Sequence, residues 1–190
     1  MSQEFITINT TEPTAIKIKV EPYSLVEEEN SILYEKIPSF NFDSGVDVKE
    51  VSDRLKETLK VHRAYGIAAP QCGLQYRIIV IGAEEEYMTM INPEIVSMSE
   101  ECVVLEEGCL SFPFLGFNIS RPKNIIVKFQ DQTSKSHELT LSGLTARIVQ
   151  HEMDHLDGIT FHKKAKPLAL KSGLKKREKR IKKFAKELVQ

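Results

Sequence analysis

Two histidines four residues apart constrain this chain more than any other feature of its sequence. His151 and His155 frame an HExxH pattern inside the segment Leu144 to Leu156, where apolar residues recur at helical spacing before a stop at Gly158. Side chains at i and i+4 of a helix project from one face about 6 Å apart, so both imidazoles can bind one metal ion at roughly 2.1 Å. Glu152 then faces a water on that ion. The alternative interpretation is two surface histidines on an amphipathic helix.

Strands are predicted in the middle of the chain. A helical period runs from Val46 to Tyr65, and Gly66 follows it. Beyond this helix, turn residues such as Asn92-Pro93 separate stretches of strand length. The predicted strands are Arg77–Gly82, Thr89–Asn92, Glu94–Met98, Cys102–Leu105 and Asn124–Phe129. One or two further strands are expected in residues 1–30, which end in an acidic turn.

The composition, 41% hydrophobic and 28% charged over 190 residues, is that of a globular protein. Its apolar stretches are far shorter than the roughly 20 residues that a membrane helix needs, so no membrane partner is expected. Three cysteines without paired spacing, Cys72, Cys102 and Cys109, argue against a disulfide framework. No secretory or organellar signal is visible in the first residues. A cytoplasmic location is therefore expected.

A hydrolytic metal site needs a third protein ligand and an open position for water. Cys109, preceded by Glu106-Glu107-Gly108, is the best candidate because a thiolate binds metal tightly. Judged alone, however, a single cysteine is more often a small buried core residue. The spacing of residues leaves both interpretations of Cys109 open.

Three segments taken together resemble the peptide deformylase family: Gly66 to Gln71, Glu107 to Ser111, and Gln150 to Gly158. The resemblance implies an α+β fold with short, mostly antiparallel β-sheets around a central helix that carries HExxH, and with a C-terminal helix. It also implies a metal-dependent hydrolase that removes the formyl group from the N-terminal methionine of nascent polypeptides. One divalent metal is implied, Fe(II) as the native ion and Zn, Ni or Co as substitutes.

The same resemblance assigns roles to individual residues. It implies Cys109, His151 and His155 as the metal ligands and Glu152 as the acid and base. The Gln71 amide and the Leu110 backbone N–H would polarise the substrate carbonyl. Residues expected to contact the substrate are Gly66, Ile67 and Gly108. Apart from the resemblance, Asp154 points off the ligand face of the helix and is expected to be a structural partner for Arg121, with a solvated carboxylate as the alternative interpretation. Glu107 and Gln150 are likewise expected to support the ligands.

Four large apolar residues follow the Cys109 segment. They are Phe112, Phe114, Leu115 and Phe117. They can line a pocket for the methionine side chain, and ordinary core packing is an equally good interpretation. The sequence does not separate the two.

The C-terminal residues 163–190 hold twelve of the 26 basic residues and two of the 27 acidic ones, so they carry about +10 against −11 for residues 1–162. We therefore divide the chain into a catalytic domain, 1–162, with an atypical segment at 1–30, and a basic amphipathic helix, 163–190. One hypothesis is attraction to ribosomal RNA, as in some members of the resembled family, in which case removing residues 168–190 spares hydrolysis of short peptides. The alternative is a solvated helix folded onto the acidic body.

Two other functions share some of these sequence features. A zincin-type endopeptidase also uses HExxH, but it needs a downstream third ligand, and the only suitably spaced acid, Glu178, lies among lysines. A binding protein with a structural metal would leave no purpose for the open coordination position or for Gln71 and Glu152. The hydrolase that acts on formylated peptides is the preferred hypothesis.

Overall fold

The structure, a computed structural model, describes residues 20–83 and 86–187. Within these residues the chain forms α-helices, β-strands and four short 3-10 helices. The α-helices are α1 (Val48–His62), α2 (Gly143–Leu156) and α3 (Pro167–Glu187). The strands are β1 (Gly66–Ala68), β2 (Ile78–Ala83), β3 (Glu86–Met98), β4 (Cys102–Glu107), β5 (Phe117–Pro122), β6 (Asn124–Gln130) and β7 (Ser136–Ser142). The 3-10 helices are Ser31–Tyr34, Phe42–Ser44, Ala69–Cys72 and Phe161–Lys164.

The strands form two antiparallel sheets. Five strands pair in the order β1-β2-β3-β6-β7, and β4 pairs with β5 in a separate two-stranded sheet. Every pairing in both sheets is antiparallel. The predicted α+β architecture, with a central helix bearing HExxH and a helix at the C-terminus, is confirmed.

The five-stranded sheet is covered by a helix on each face. Successive residues of a strand point to opposite faces, so Ile79 and Ile81 of β2 join the core cluster that contains α2, whereas Ile78 and Val80 join the cluster that contains α1. This two-sided cover explains why β2 is an almost continuous apolar run. It also holds α2 rigidly against the sheet.

Helix α1 is shorter than its apolar period. The Asp47 side chain accepts a hydrogen bond from the Glu50 N–H at 3.0 Å and caps the first turn. The helix ends where Arg63 adopts a left-handed conformation (φ 51°), so it stops before the expected Tyr65. Residues 64–65 then lead directly into β1, which delivers Gly66 to the site described below.

The expected turn at Asn92-Pro93 is wrong. Strand β3 continues through both residues, with an irregular register between Ile91 and Glu94. Asn92 takes a positive φ of 51°, and its side chain accepts from the Phe40 N–H at 2.6 Å and donates to the Phe40 carbonyl at 3.0 Å. Asparagine tolerates this conformation and proline removes one ladder donor, so the pair forms a bulge within one strand.

The sequence analysis did not predict three of the strands, β1, β5 and β7. β1 has only three residues, and β5 and β7 alternate polar and apolar residues on half-exposed surfaces. The strands expected in residues 1–30 are not found in residues 20–30, and residues 1–19 lie outside the described part. Residues 20–30 instead run along the body, where the Val26 N–H donates to the Gln71 carbonyl at 2.9 Å.

A third core cluster joins the small sheet to both ends of the described chain. It combines Leu33, Ile119 and Phe161 with the partly buried Leu170 of α3. Helix α3 therefore lies on the body rather than apart from it, as the second interpretation of the basic segment expected. None of the described helices has the length and apolarity to cross a membrane.

Candidate active site

Helix α2 presents the HExxH residues from a buried position. Ser142 precedes the helix in an extended conformation, and Gly143 enters it at a positive φ of 57°. His151 and His155 are both buried, and their ring centroids lie 5.3 Å apart. The pattern is therefore not a pair of surface histidines.

Cys109 lies beside the two histidines. It follows the end of β4 by two residues, and its Sγ is 3.1 Å from His155 Nε2. One ligand atom each from Cys109, His151 and His155 fall within 4.8 Å of one another. A thiolate and two imidazoles suit a tetrahedral divalent ion and leave one position for water. The three side chains thus fit a catalytic metal site.

Glu107 orients His151. Its Oε2 accepts from His151 Nδ1 at 3.0 Å, which directs Nε2 toward Cys109 and His155. Arg121 holds the same carboxylate with Nε and Nη2 at 2.7 and 2.8 Å. Burial opposes the charge on Glu107, but the bonds from Arg121 and His151 outweigh it and lower its pKa to about 2. Glu107 is therefore a fixed anion behind the ligand.

The electrostatic surroundings favour a cation between the histidines. Burial alone would lower the pKa of His151, but the nearby Cys109 and Glu107 raise it to about 10. His155, by contrast, has its pKa lowered to about 3, first by burial and then by the charge of His151. The groups that favour a proton on His151 also favour a metal cation beside it, and the two compete for the same lone pair.

Glu152 occupies a tight, water-poor position. Burial raises the pKa of its carboxyl group to about 7, and among the described residues its Oε2 has no hydrogen-bond partner. A Cβ added to Gly66 would lie 2.5 Å from Glu152 Oε1 and 2.8 Å from Ile148 Cγ2. A larger residue at position 66 would therefore displace the Glu152 carboxylate or the Ile148 side chain.

Gln71 is locked with its amide group facing the thiol. Its Oε1 accepts from the Ala68 N–H at 2.8 Å, so its Nε2 is directed at Cys109 Sγ (3.6 Å) and at Ser111 Oγ (3.1 Å). Pro70 starts the 3-10 helix Ala69–Cys72 that carries Gln71. This short helix turns the Gln71 side chain back toward β1 and directs the N–H groups of its amide at the site.

A cavity of about 460 Å³ opens onto these groups. Gly66, Gln71, Gly108, Leu110 and Glu152 are among the predicted site residues that line it. Phe112, Phe114 and Leu115 also line it; Phe112 and Leu115 belong at the same time to the third core cluster, in which Phe117 packs without reaching the cavity. The cavity is therefore the place for a ligand, and two of the four apolar residues belong to both the pocket and the core.

Ile67 is not part of the cavity wall. Its side chain is fully buried in the core cluster that contains α1, because it faces the opposite side of β1 from Gly66. Any contact between Ile67 and a ligand must therefore come from its backbone. Gln150 likewise turns away from the metal ligands and donates to the Pro122 and Ala146 carbonyls at 3.0 Å each.

Asp154 belongs to a charge network behind the helix. Its Oδ2 accepts from Arg121 Nη1 at 2.8 Å, and its Oδ1 accepts from Lys164 Nζ at 2.7 Å. Because Arg121 also holds Glu107, this network ties α2 to the small sheet. Arg121 thus contacts Glu107 directly and Asp154 contacts Arg121, and neither residue lines the cavity.

Two contributors were missed by the sequence analysis. Arg147 is buried and donates to Glu107 Oε1 at 2.5 Å and to the Ile119 carbonyl at 3.0 Å. It precedes His151 by four residues on α2, so helical spacing alone would have placed it on the same face. Ser111, which accepts from Gln71, carried no comparable signal.

Known proteins give an independent comparison. The polypeptide deformylase family model matches residues 22–171. A peptide deformylase from Synechocystis sp. is 37% identical over 135 residues, which cover 68% of this chain and 72% of the relative. The crystal structure of peptide deformylase from Thermotoga maritima is 33% identical, with a TM-score of 0.73, covering 77% of this chain and 99% of that one.

A further solved structure points the same way. It is a peptide deformylase from Synechococcus elongatus in complex with actinonin, 28% identical with a TM-score of 0.78 over 86% of this chain and 93% of that one. The match to the family model includes Cys109 and the helix that carries His151 and His155. On this ground the chain belongs to the peptide deformylase family, whose members are metal-dependent hydrolases.

Proposed function

We propose that this protein hydrolyses the formyl group from the N-terminal methionine of nascent polypeptides, releasing formate and a free amine. The observation that carries the proposal is the position of buried Glu152 beside three metal-ligating side chains at the wall of one cavity. A hydrolase needs a water activator, a proton carrier and room for an acyl group in one place. Membership of the deformylase family supplies the substrate class.

We assign the metal to Cys109, His151 and His155, in agreement with their donor set and spacing. A divalent ion held there supplies a Lewis acid that brings the pKa of water toward neutrality. The thiolate donates more charge than a third imidazole would, and it makes a ferrous site sensitive to oxidation. Fe(II) is our proposal for the native ion, with Zn, Ni or Co as substitutes.

Glu152 is the proposed acid and base. Its raised pKa of about 7 lets the carboxylate take a proton from water as the oxygen attacks the formyl carbon. The same carboxyl group then passes that proton to the methionine nitrogen as the C–N bond breaks. Formate leaves with the oxygen from water, so one residue returns to its starting state in each cycle.

Two donors are proposed to stabilise the oxyanion that forms on the formyl oxygen. They are Gln71 Nε2, whose direction is set by the Ala68 N–H, and the backbone N–H of Leu110 at the cavity wall. Donors fixed before the reaction cost no reorganisation, and losing one commonly costs about 2.7 to 4 kcal/mol. The backbones of Gly66, Ile67 and Gly108 are proposed to contact the peptide.

Five further residues are proposed to position the ligands; Glu107 and Arg147 also line the cavity, whereas Arg121, Asp154 and Gln150 lie outside it. Glu107 holds His151, while Arg121 and Arg147 hold Glu107. Asp154 anchors Arg121 from the other side. Gln150 supports this arrangement less directly, through the Pro122 carbonyl at the end of β5.

We further propose a catalytic domain at residues 1–162 and a basic helical element at 163–190 in a cytoplasmic protein. The three cysteines are free thiols, as a reducing compartment allows. Exposed lysines on α3, such as Lys171, Lys175 and Lys179, suit attraction to the phosphates of ribosomal RNA. Ribosome affinity should then fall steeply with salt and fall further when these lysines are replaced by glutamine.

The deciding experiment is formate release from formyl-Met-Ala-Ser by protein loaded with Fe(II) without oxygen. We expect Glu152→Gln to bind metal normally and to lose at least about 100-fold in kcat. Cys109→Ser should lose metal affinity. Glu138→Gln, an exposed acid on β7, is the matched control and should behave as wild type.

The outcome also separates the competing functions. A metal-loaded wild type that releases no formate contradicts the proposed activity. Cleavage of unformylated peptides would favour an endopeptidase instead. Comparing Fe(II), Zn, Ni and Co at equal occupancy, before and after exposure to air, tests the proposal for iron, because only the ferrous site should lose activity in air.

A further inference from the structure

Helix α3 contacts the wall of the active-site cavity. Between Cys109 and β5 the chain forms a short loop, residues 112–115, which we call the aromatic loop; Phe112, Phe114 and Leu115 line the cavity. Arg177 of α3 donates from Nε to the Pro113 carbonyl at 2.8 Å. The rings of Phe184 and Phe114 lie 5.7 Å apart between centroids. The basic amphipathic helix thus contacts the loop that lines the cavity.

Phe114 adopts a conformation that needs support. Its φ is +65°, a left-handed value that bulky L-residues rarely take. Such strain persists only where the surroundings hold it in place, and it concentrates at functional sites. Here α3 contacts the aromatic loop on both sides of the strained bond, at the Pro113 carbonyl through Arg177 and at the Phe114 carbonyl through Arg180 at 3.5 Å.

Arg177 is itself fixed by the segment near the N-terminus. Both oxygens of the Glu28 carboxylate accept from its guanidinium, and only 13% of the Arg177 side chain is exposed. A bidentate ion pair of this kind holds the planar guanidinium group in one orientation. Its remaining Nε–H is then directed at Pro113, so two segments 149 residues apart in sequence meet at the aromatic loop.

Close backbone packing keeps α3 at this distance. Gly173 lies against the ring of Phe117, and any Cβ there would collide with that ring. Leu170 packs into the third core cluster beside it. The lysines on the outer side of α3 make no part of this contact: Lys176, next to Arg177 in sequence, is exposed.

We propose that α3 is a positioning element of the substrate cavity, with Arg177 and Phe184 holding the strained Phe114 in the wall against which the formylated peptide binds. The proposal deepens the proposed function and rests on it. It predicts that loss of these contacts weakens peptide binding and leaves the chemical step, carried out by Glu152 and the metal ligands, nearly unchanged. Removal of residues 168–190 would then raise KM even for short peptides, contrary to the expectation for a separable tail.

The test compares full-length, metal-loaded wild type with two single variants, Arg177→Met and Phe184→Ala. Lys176→Met is the matched control. For formyl-Met-Ala-Ser we expect KM to rise about fivefold or more in the first two variants while kcat stays within about twofold. The Kd of the product peptide Met-Ala-Ser, measured by calorimetry, should rise in parallel. Lys176→Met should match wild type in both measurements.

A conservative variant separates the two bonds of Arg177. Arg177→Lys keeps a charge for Glu28 but cannot also donate a fixed Nε–H to Pro113, so its KM should lie between those of wild type and Arg177→Met. Metal content and thermal stability are measured for every variant. Unchanged metal content with a raised KM is the signature of positioning.

Three results would overturn the proposal. The first is an unchanged KM and product Kd in both Arg177→Met and Phe184→Ala. The second is a parallel loss of kcat, metal and thermal stability, which would mean that α3 only stabilises the fold. The third is an equal effect of Lys176→Met. If the wild type released no formate, the proposed function would fail, and the calorimetric Kd values would still decide this inference.

Discussion

Replacing Arg121 by methionine tests how the metal ligands are held. Arg121 is 3% exposed and pairs with Glu107 (6%) and Asp154 (12%) at 2.7 to 2.8 Å, so its loss leaves two buried carboxylates short of a partner. Removing one member of a buried pair costs about 3–5 kcal/mol. Because Arg147 still holds Glu107 and Lys164 still holds Asp154, we expect the lower end, about 3 kcal/mol.

The measurement is urea unfolding in excess chelator, followed by far-UV circular dichroism, so that metal binding does not add to the free energy of unfolding. The control is Lys123→Met, which breaks an exposed ion pair with Glu101 and should cost no more than about 1 kcal/mol. A separate metal titration should show about 10- to 100-fold weaker binding in Arg121→Met, since His151 loses a fixed partner in Glu107. If the two variants unfold within 1 kcal/mol of each other, the buried network is not what holds Glu107.

Three further perturbations follow from the same geometry. Gly66→Ala should cost about 1–3 kcal/mol in urea unfolding and reduce kcat, because its Cβ would meet Glu152 Oε1 at 2.5 Å; wild-type kcat would contradict this. Saturating metal should raise the thermal midpoint and chelator should lower it, with no such shift in Cys109→Ser. Hydrogen bonds from Thr133 and His137 hold the pKa of Asp131 below its usual range, so its stabilising effect is present at neutral pH and is lost as pH falls below about 4. Asp131→Asn should therefore be less stable than wild type at pH 7 and converge with it in acid; an equal gap at both pH values would refute the assignment.

More of the metal site than of the cavity wall around it could be predicted from the sequence. Spacing on one helix is a local property, so His151 and His155 follow from the chain pattern itself. Cys109 has no such pattern, and only its resemblance to known deformylases separated it from a core cysteine. Arg147 was missed although it obeys the same helical spacing, because a lone arginine on an amphipathic helix is ordinary.

Errors in the fold have a common physical origin. The Asn92-Pro93 pair has the composition of a turn, yet the Asn92 side chain replaces ladder bonds with bonds to Phe40, 52 residues away in sequence. The contact between Arg177 and Glu28 spans 149 residues. Contacts of this range depend on the assembled core, and local pattern contains no trace of them.

The distance in sequence between Cys109 and His155 has a consequence for stability. The two residues are 46 positions apart: Cys109 follows β4 of the small sheet, and His155 lies on α2, which packs against the large sheet. An ion bound by both would tie the small sheet to α2. Because the ligands come together only in the folded chain, the free energy of metal binding would add to the free energy of unfolding. Amide exchange in β4 and β5 should then slow with metal occupancy more than exchange in β2.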